Sequence, residues 1–166
     1  MRHAFTALFL LLVVSAGCVE TGGPGSSTPE AASISTVSED LSATGVSCHE
    51  DLSVNFWGIE EQLWDRNSVR VGYSVPANTS VFLVAYVDGV RSGVVYERNG
   101  GDDAIVVDGG EIHLDSSFSG THTVEIVLYH DEGGNEQFER SVDSPCLDDE
   151  TVIMAGPRKI DFSEFA

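Results

Sequence analysis

The amino-acid sequence predicts an all-β domain, a sandwich of about seven to nine strands, and three observations carry that prediction. From Ser47 onward valine dominates the aliphatic residues, and β-branched side chains suit a pleated sheet better than a helix. Short stretches alternate apolar and polar residues with the period of two that a half-buried strand requires. Gly, Asn or Asp interrupts these stretches every eight to twelve residues, the rhythm of strands joined by tight turns.

The elements follow in order. Leu52, Val54 and Phe56 alternate with Ser53 and Asn55, and Val69, Val71, Tyr73 and Val75 alternate with Arg70, Gly72 and Ser74. Each segment reads as a strand with one face buried. Val81 to Val87 is apolar without a break, as a central strand covered on both faces is. It meets Val90 to Tyr96 across Asp88-Gly89, a dipeptide that accepts the positive φ angles of a two-residue hairpin. Further strands are expected at Ala104 to Val107, Glu111 to Leu114 and Thr121 to Tyr129, with a last one at Lys159 to Phe162 after the breaker Gly156-Pro157.

Charge bounds the function. Among 166 residues, 27 are acidic and 8 basic, giving a formal charge of -19 and a pI near 4.2. Nucleic acid is not an expected partner of such a surface. Seven of the basic residues are Arg, Lys159 is the only Lys, and the carboxylates are scattered along the chain. That composition resembles haloarchaeal proteins, whose acidic surfaces repel themselves until molar salt shortens the screening length to ~3 Å.

The first residues read as an export signal. Met1-Arg2-His3 precedes an uncharged stretch from Ala4 to Val14, followed by the small residues Ser15, Ala16 and Gly17. The stretch falls short of the ~20 residues that span a bilayer, so residues 1–17 are expected to be a signal peptide. Ser15-Ala16-Gly17-Cys18 resembles a lipobox, with Ser15 where Leu is commonest, and implies a lipid on Cys18. Residues 18–46 are expected to form the lipid-anchored, disordered linker. Sixteen of the 28 residues from Val19 to Val46 are Gly, Pro, Ser or Thr, and none is aromatic. The sandwich then occupies 47–166. Assigning Cys18 to lipid leaves Cys48 and Cys146 as an even remainder, expected to be joined in an oxidising compartment.

Gly120-Thr121-His122-Thr123-Val124-Glu125-Ile126-Val127-Leu128, followed by Asp131 and Gly134-Asn135, resembles the late strand and turn of immunoglobulin-like surface modules of the polycystic-kidney-disease type. The stretch from Val69 to Val75-Pro76 through Ser144-Pro145-Cys146 is similar to envelope lipoproteins of haloarchaea. The resemblance implies an immunoglobulin-like sandwich at the cell envelope and carries no chemistry. Trp57 and Trp64 are the candidates for the core tryptophan of that fold.

Constellations that carry chemistry are sparse. Glu111, His113 and Asp115 share one face of a strand, but same-face neighbours stand ~6.6 Å apart, too far for one ion to hold all three undistorted. Asp131, Gly133, Asn135, Gln137 and Glu139 alternate like the start of a calcium loop. Gly133 offers no side-chain oxygen there, and Val142 stands at the twelfth position, where a carboxylate is needed. No metal site is expected, and Glu111, His113 and Asp131 are only weak candidates for one. His49-Glu50 opens like a zinc-protease helix, yet Ser53 replaces the second His. His122 and His130 flank the face of Val124, Ile126 and Leu128 as half-buried imidazoles. Asn78-Thr79-Ser80 is an N-glycosylation sequon in an expected turn.

The expected protein is therefore no enzyme and needs no cofactor. It is a β-sandwich module of a halophilic archaeon, held by membrane lipid at Cys18 on the extracytoplasmic face of the cell membrane. Its role is binding or envelope-structural, with an envelope protein or glycan as partner. The alternative is an extracytoplasmic solute- or metal-binding lipoprotein.

Overall fold

The computed structural model describes residues 45–57 and 67–164; the signal segment, Cys18, the linker up to Thr44 and Trp64 lie outside them. The strands are β1 (Val46–Ser47), β2 (Ser53–Phe56), β3 (Ser68–Val75), β4 (Thr79–Val87), β5 (Val90–Asn99), β6 (Ile105–His113), β7 (Thr121–His130), β8 (Ser144–Asp148), β9 (Thr151–Val152) and β10 (Met154–Asp161), closed by a single 3-10 turn, Phe162–Glu164. One sheet runs β1-β8-β7-β4-β5, with β10 also on β7 and β9 on β8; the other runs β2-β3-β6. The domain is all-β, a curled sheet facing a smaller one.

The apolar run Val81 to Val87 is central because both its faces are covered. Inward, Val81, Leu83, Ala85 and Val87 join Val124, Ile126 and Leu128 of β7 in a core shared with Val69, Val71 and Val75 of β3 and Ile112 of β6. Outward, Phe82, Val84 and Tyr86 pack with Val127, Tyr129 and Val152, and Phe138, Leu147 and Met154 cover them. Asp88 and Gly89 adopt φ of 49° and 78° between the paired Val87 and Val90, the two-residue hairpin that Asp-Gly signals.

Three elements differ from expectation. The segments Ala104 to Val107 and Glu111 to Leu114 are one strand, β6. A bulge at Asp108-Gly109, with Gly109 at φ 81°, lets β6 stay on β3 while its register shifts between Val71 and Tyr73. Gly156-Pro157 does not break the chain before the last strand but forms a bulge inside β10 between Ala155 and Arg158. Gly156 is required there, since its φ is 102° and a Cβ would stand 2.7 Å from the Val124 carbonyl oxygen. Strands β1, β8 and β9 carry too little alternation to be seen in sequence. Val46, expected to end the linker, already pairs in parallel with Cys146.

The edge of β7 is shared. β8 pairs with Tyr129 and His130, then turns away through β9, and β10 takes over from Val127 to Thr121. The Leu128 amide bridges the handover by donating to the Ile153 carbonyl at 3.1 Å. Beside this junction Cys48 and Cys146 are disulfide-bonded across 98 residues of sequence, as expected from the cysteine count. A loop of that size constrains the unfolded chain by ~4.7 kcal/mol in the chain-entropy model. Replacing both cysteines by Ser is expected to lower unfolding free energy by about 2–5 kcal/mol, measured as a fall in urea midpoint. Peptide mapping without reductant should recover one linked pair.

Candidate functional site

The candidate site is the end of the sandwich where β4 begins and β5 and β7 finish. Thr79 faces Asn99, Val81 faces His130, and His130 faces Ser144, so three connections converge there: the turn at Ala77-Asn78, the loop 100–104 and the loop 131–143. Together they carry Asp102, Asp103, Asp131, Glu132, Glu136, Glu139 and Asp143.

Each connection has its own fastening. Asn78 is exposed with φ 57°, a conformation Asn tolerates better than most residues, and the sequon therefore sits on an open turn. Buried Asn99 organises the second loop: its Nδ2 donates to the carbonyls of Val75 (2.9 Å) and Asp103 (2.7 Å), and its Oδ1 accepts from the Gly101 amide at 3.0 Å. In the third loop Phe138 packs edge-on against Tyr129 and Phe82, with ring centroids 4.9 and 5.6 Å away. The Tyr129 and Tyr86 hydroxyls lie 2.8 Å apart beneath it, and burial holds the Tyr129 hydroxyl well above the usual phenol range. At the surface Arg98 Nη1 pairs with Glu136 Oε1 at 3.4 Å.

The loop's polar groups are arranged around its root. The Gln137 amide donates to Asn135 Oδ1 at 2.9 Å, and Asn135 Nδ2 donates to Glu139 Oε1 at 3.3 Å. Asp143 Oδ2 accepts from the Glu139 amide at 2.6 Å, while the Glu139 carbonyl accepts from the amides of Val142 and Asp143, both at 2.8 Å. Asp131 and Asp143 are only 8% and 4% exposed. The Oδ1 atom of each is buried without a hydrogen-bond partner.

The opposite end holds a second polar cluster. His122 Nδ1 lies 2.7 Å from Asp88 Oδ2, and its Nε2 lies 3.0 Å from the Ser119 carbonyl. Both partners are acceptors, so only the doubly protonated imidazolium satisfies both nitrogens. The Asp88 hydrogen bond raises the His122 pKa, and the His122 and Thr123 hydrogen bonds lower that of Asp88. With Thr123 N donating to Asp88 Oδ1 at 2.9 Å, the pair fastens the β4–β5 hairpin to the start of β7. No nitrogen remains to take a proton from a nucleophile, so this is a latch.

The structure separates the metal candidates proposed from sequence. Glu111 and His113 are exposed on β6 in the smaller sheet, and Asp131 follows β7 in the larger one. Among the described residues no three His, Cys, Asp or Glu side chains gather as a metal site. His130 is exposed, and Trp57 is half-buried, its ring 3.4 Å from where a Gly109 Cβ would lie and 5.5 Å beneath the Arg70 guanidinium. An open groove of about 470 Å³ lies beside the disulfide, lined by Ser47, His49, Glu50, Asp148 and Asp149 among others. Sequence reasoning missed Phe138, Asp143 and the backbone bonds of Asn99, whose turn Asn99-Gly100-Gly101 it marks only as a contact loop. Asp143 had a signal, since it is an acid one residue beyond the vacant twelfth position of the calcium-like loop. Compared with family models, curated proteins and solved structures, the chain finds no match.

The latch has a pH signature. Because the folded pKa of His122 is raised, its contribution is complete below the unfolded value of 6.5 and is lost as pH rises through the folded one. The lowered pKa of Asp88 gives a contribution present above 3.8 and lost as pH falls through its folded value. The pair is therefore at full strength between about pH 4 and 6.5. Melting temperature is expected to decline on the alkaline side of this window in the native protein, and His122→Gln should flatten that decline.

Proposed function

We propose that the chain is a lipid-anchored extracytoplasmic module with an immunoglobulin-like sandwich, working by surface contact as a binding or envelope-structural element. The disulfide carries this reading. With Cys48 and Cys146 joined, Cys18 is the odd one of three cysteines, and it follows the lipobox-like Ser15-Ala16-Gly17. Disulfides persist where the compartment is oxidising, which supports an exported chain. Facing sheets of mainly antiparallel strands suit the immunoglobulin-like type. The acidic composition supports a halophilic setting, and the exposed Asn78 turn is open to a glycan.

The contact surface is the three-loop end. Its loops are held by Asn99 and Phe138 on a rigid sheet, the arrangement by which a scaffold presents variable segments to a partner. An envelope protein or glycan is the partner proposed, since the acidic face disfavours nucleic acid.

The native protein should fractionate with membranes and carry a lipid mass on its N-terminal peptide, and Cys18→Ser should release it into the soluble fraction. Retention of Cys18→Ser on membranes without lipid would overturn the anchor. The halophilic setting is tested separately: with a charge of -19, melting temperature should rise from dilute buffer to molar salt by more than that of a neutral control domain.

A further inference from the structure

The geometry points to a single calcium-type cation held between Asp131 and Asp143 at the root of the β7–β8 loop. This goes beyond the anchor reading and does not depend on it.

Continued one step past its last pair, the β7–β8 register brings Asp131 opposite Asp143. Tyr129 faces Pro145 and His130 faces Ser144, so Asp131 and Asp143 are the next facing positions where the ladder opens into the loop. Facing residues of an antiparallel pair stand about 4.5–5.5 Å apart and project to the same side. That side is the outer one: Tyr129 and Leu147 pack in the outer cluster, whereas Leu128 and Cys146 belong to the inner core. Phe138 clamps the intervening loop onto the same outer face, and both carboxylates are more than nine-tenths buried at its root.

Their bonding is incomplete. Asp143 spends Oδ2 on the Glu139 amide, and Oδ1 of each residue has no partner. The ion pairs of the described residues join His49 to Asp51, Arg98 to Glu136 and His122 to Asp88, and none reaches Asp131 or Asp143. Arg140, in the same loop, is exposed; its charge acts on the neighbouring Tyr129 hydroxyl, and it makes no ion pair with either carboxylate. Buried carboxylates without a counter-charge are strongly disfavoured unless a cation or a full set of hydrogen bonds compensates them. Two orphaned oxygens on one side of one register position are what a bridging ion requires.

The donor chemistry selects the ion. The two carboxylates offer oxygen only. Hard cations take such ligands, and calcium accepts irregular sets at 2.3–2.6 Å where magnesium demands a near-ideal octahedron. Asp143 also supplies the carboxylate that Val142 denies to the alternating series from Asp131 to Glu139, one residue late and from across the strand pair.

The test uses the full chain in detergent at constant molar salt, with terbium as a luminescent probe excited through tyrosine and calcium as competitor. One saturable site per chain is expected, displaced by calcium at concentrations where magnesium has no effect. Asp131→Asn and Asp143→Asn should each weaken it by at least the roughly tenfold that loss of even an outer-shell partner costs, while Glu132→Gln, at an exposed position, leaves it unchanged. Absence of a saturable site, or equal affinity in the double Asn variant, overturns the proposal. Should the Asn variants fail to fold, trypsin decides on the native chain. Calcium should slow cleavage after Arg140, and an unchanged rate overturns the proposal.

Discussion

Through their middles, strands β4 and β7 have no solvent side, and the rest of the chain is arranged to satisfy that constraint. Their inner residues face β3 and β6 across the core, which any sandwich provides. Their outer residues, from Phe82 to Tyr86 and from Val127 to Tyr129, need a second cover. The chain supplies it with two pieces of little regular structure: the β8–β9 hairpin, which brings Leu147 and Val152, and the long loop that brings Phe138. Each aromatic or aliphatic side chain so covered contributes about 1.5–3 kcal/mol relative to exposure. The outer cluster is thus a second core, and the loop that completes it is fixed by packing even though it lacks a strand.

The same arrangement accounts for the distribution of charge. Most carboxylates populate turns and exposed strand faces, where repulsion is long-ranged and salt screens it, while Glu125 of β7 is buried. Asp131 and Asp143 are different because the loop that must bring Phe138 home also covers its own root.

The strands with alternation or unbroken valine were legible in the sequence, as was the Asp88-Gly89 hairpin, because period and turn chemistry are local properties. Glu111 to Leu114 alternated as expected, with Ile112 and Leu114 buried. What escaped was non-local. β8 contains Pro145 and Cys146 and has no period; it is a strand because β7 needs an edge partner beside Tyr129. Gly156-Pro157 looks like a break to a reader of one segment, but its neighbour β7 holds both flanks in place. At the candidate site, the sequon and the acidic loop could be read directly. Asp143 could not be placed opposite Asp131 without the register of β8, and Asn99 gave no sign that three backbone groups would converge on it.

The placement of β1 has a mechanical consequence. The described chain enters through two residues that pair in parallel with β8, and one residue later Cys48 is bonded to Cys146 in that same strand. Tension applied from the residues before Gly45 reaches the disulfide before it reaches β2. It passes across the disulfide into β8, a covalent branch that leaves β2 and β3 aside. A protein tethered from that side can bear a pull that shears β1 away without unravelling the sheet behind it. The covalent cross-link is positioned as a strain relief where the cord meets the plug.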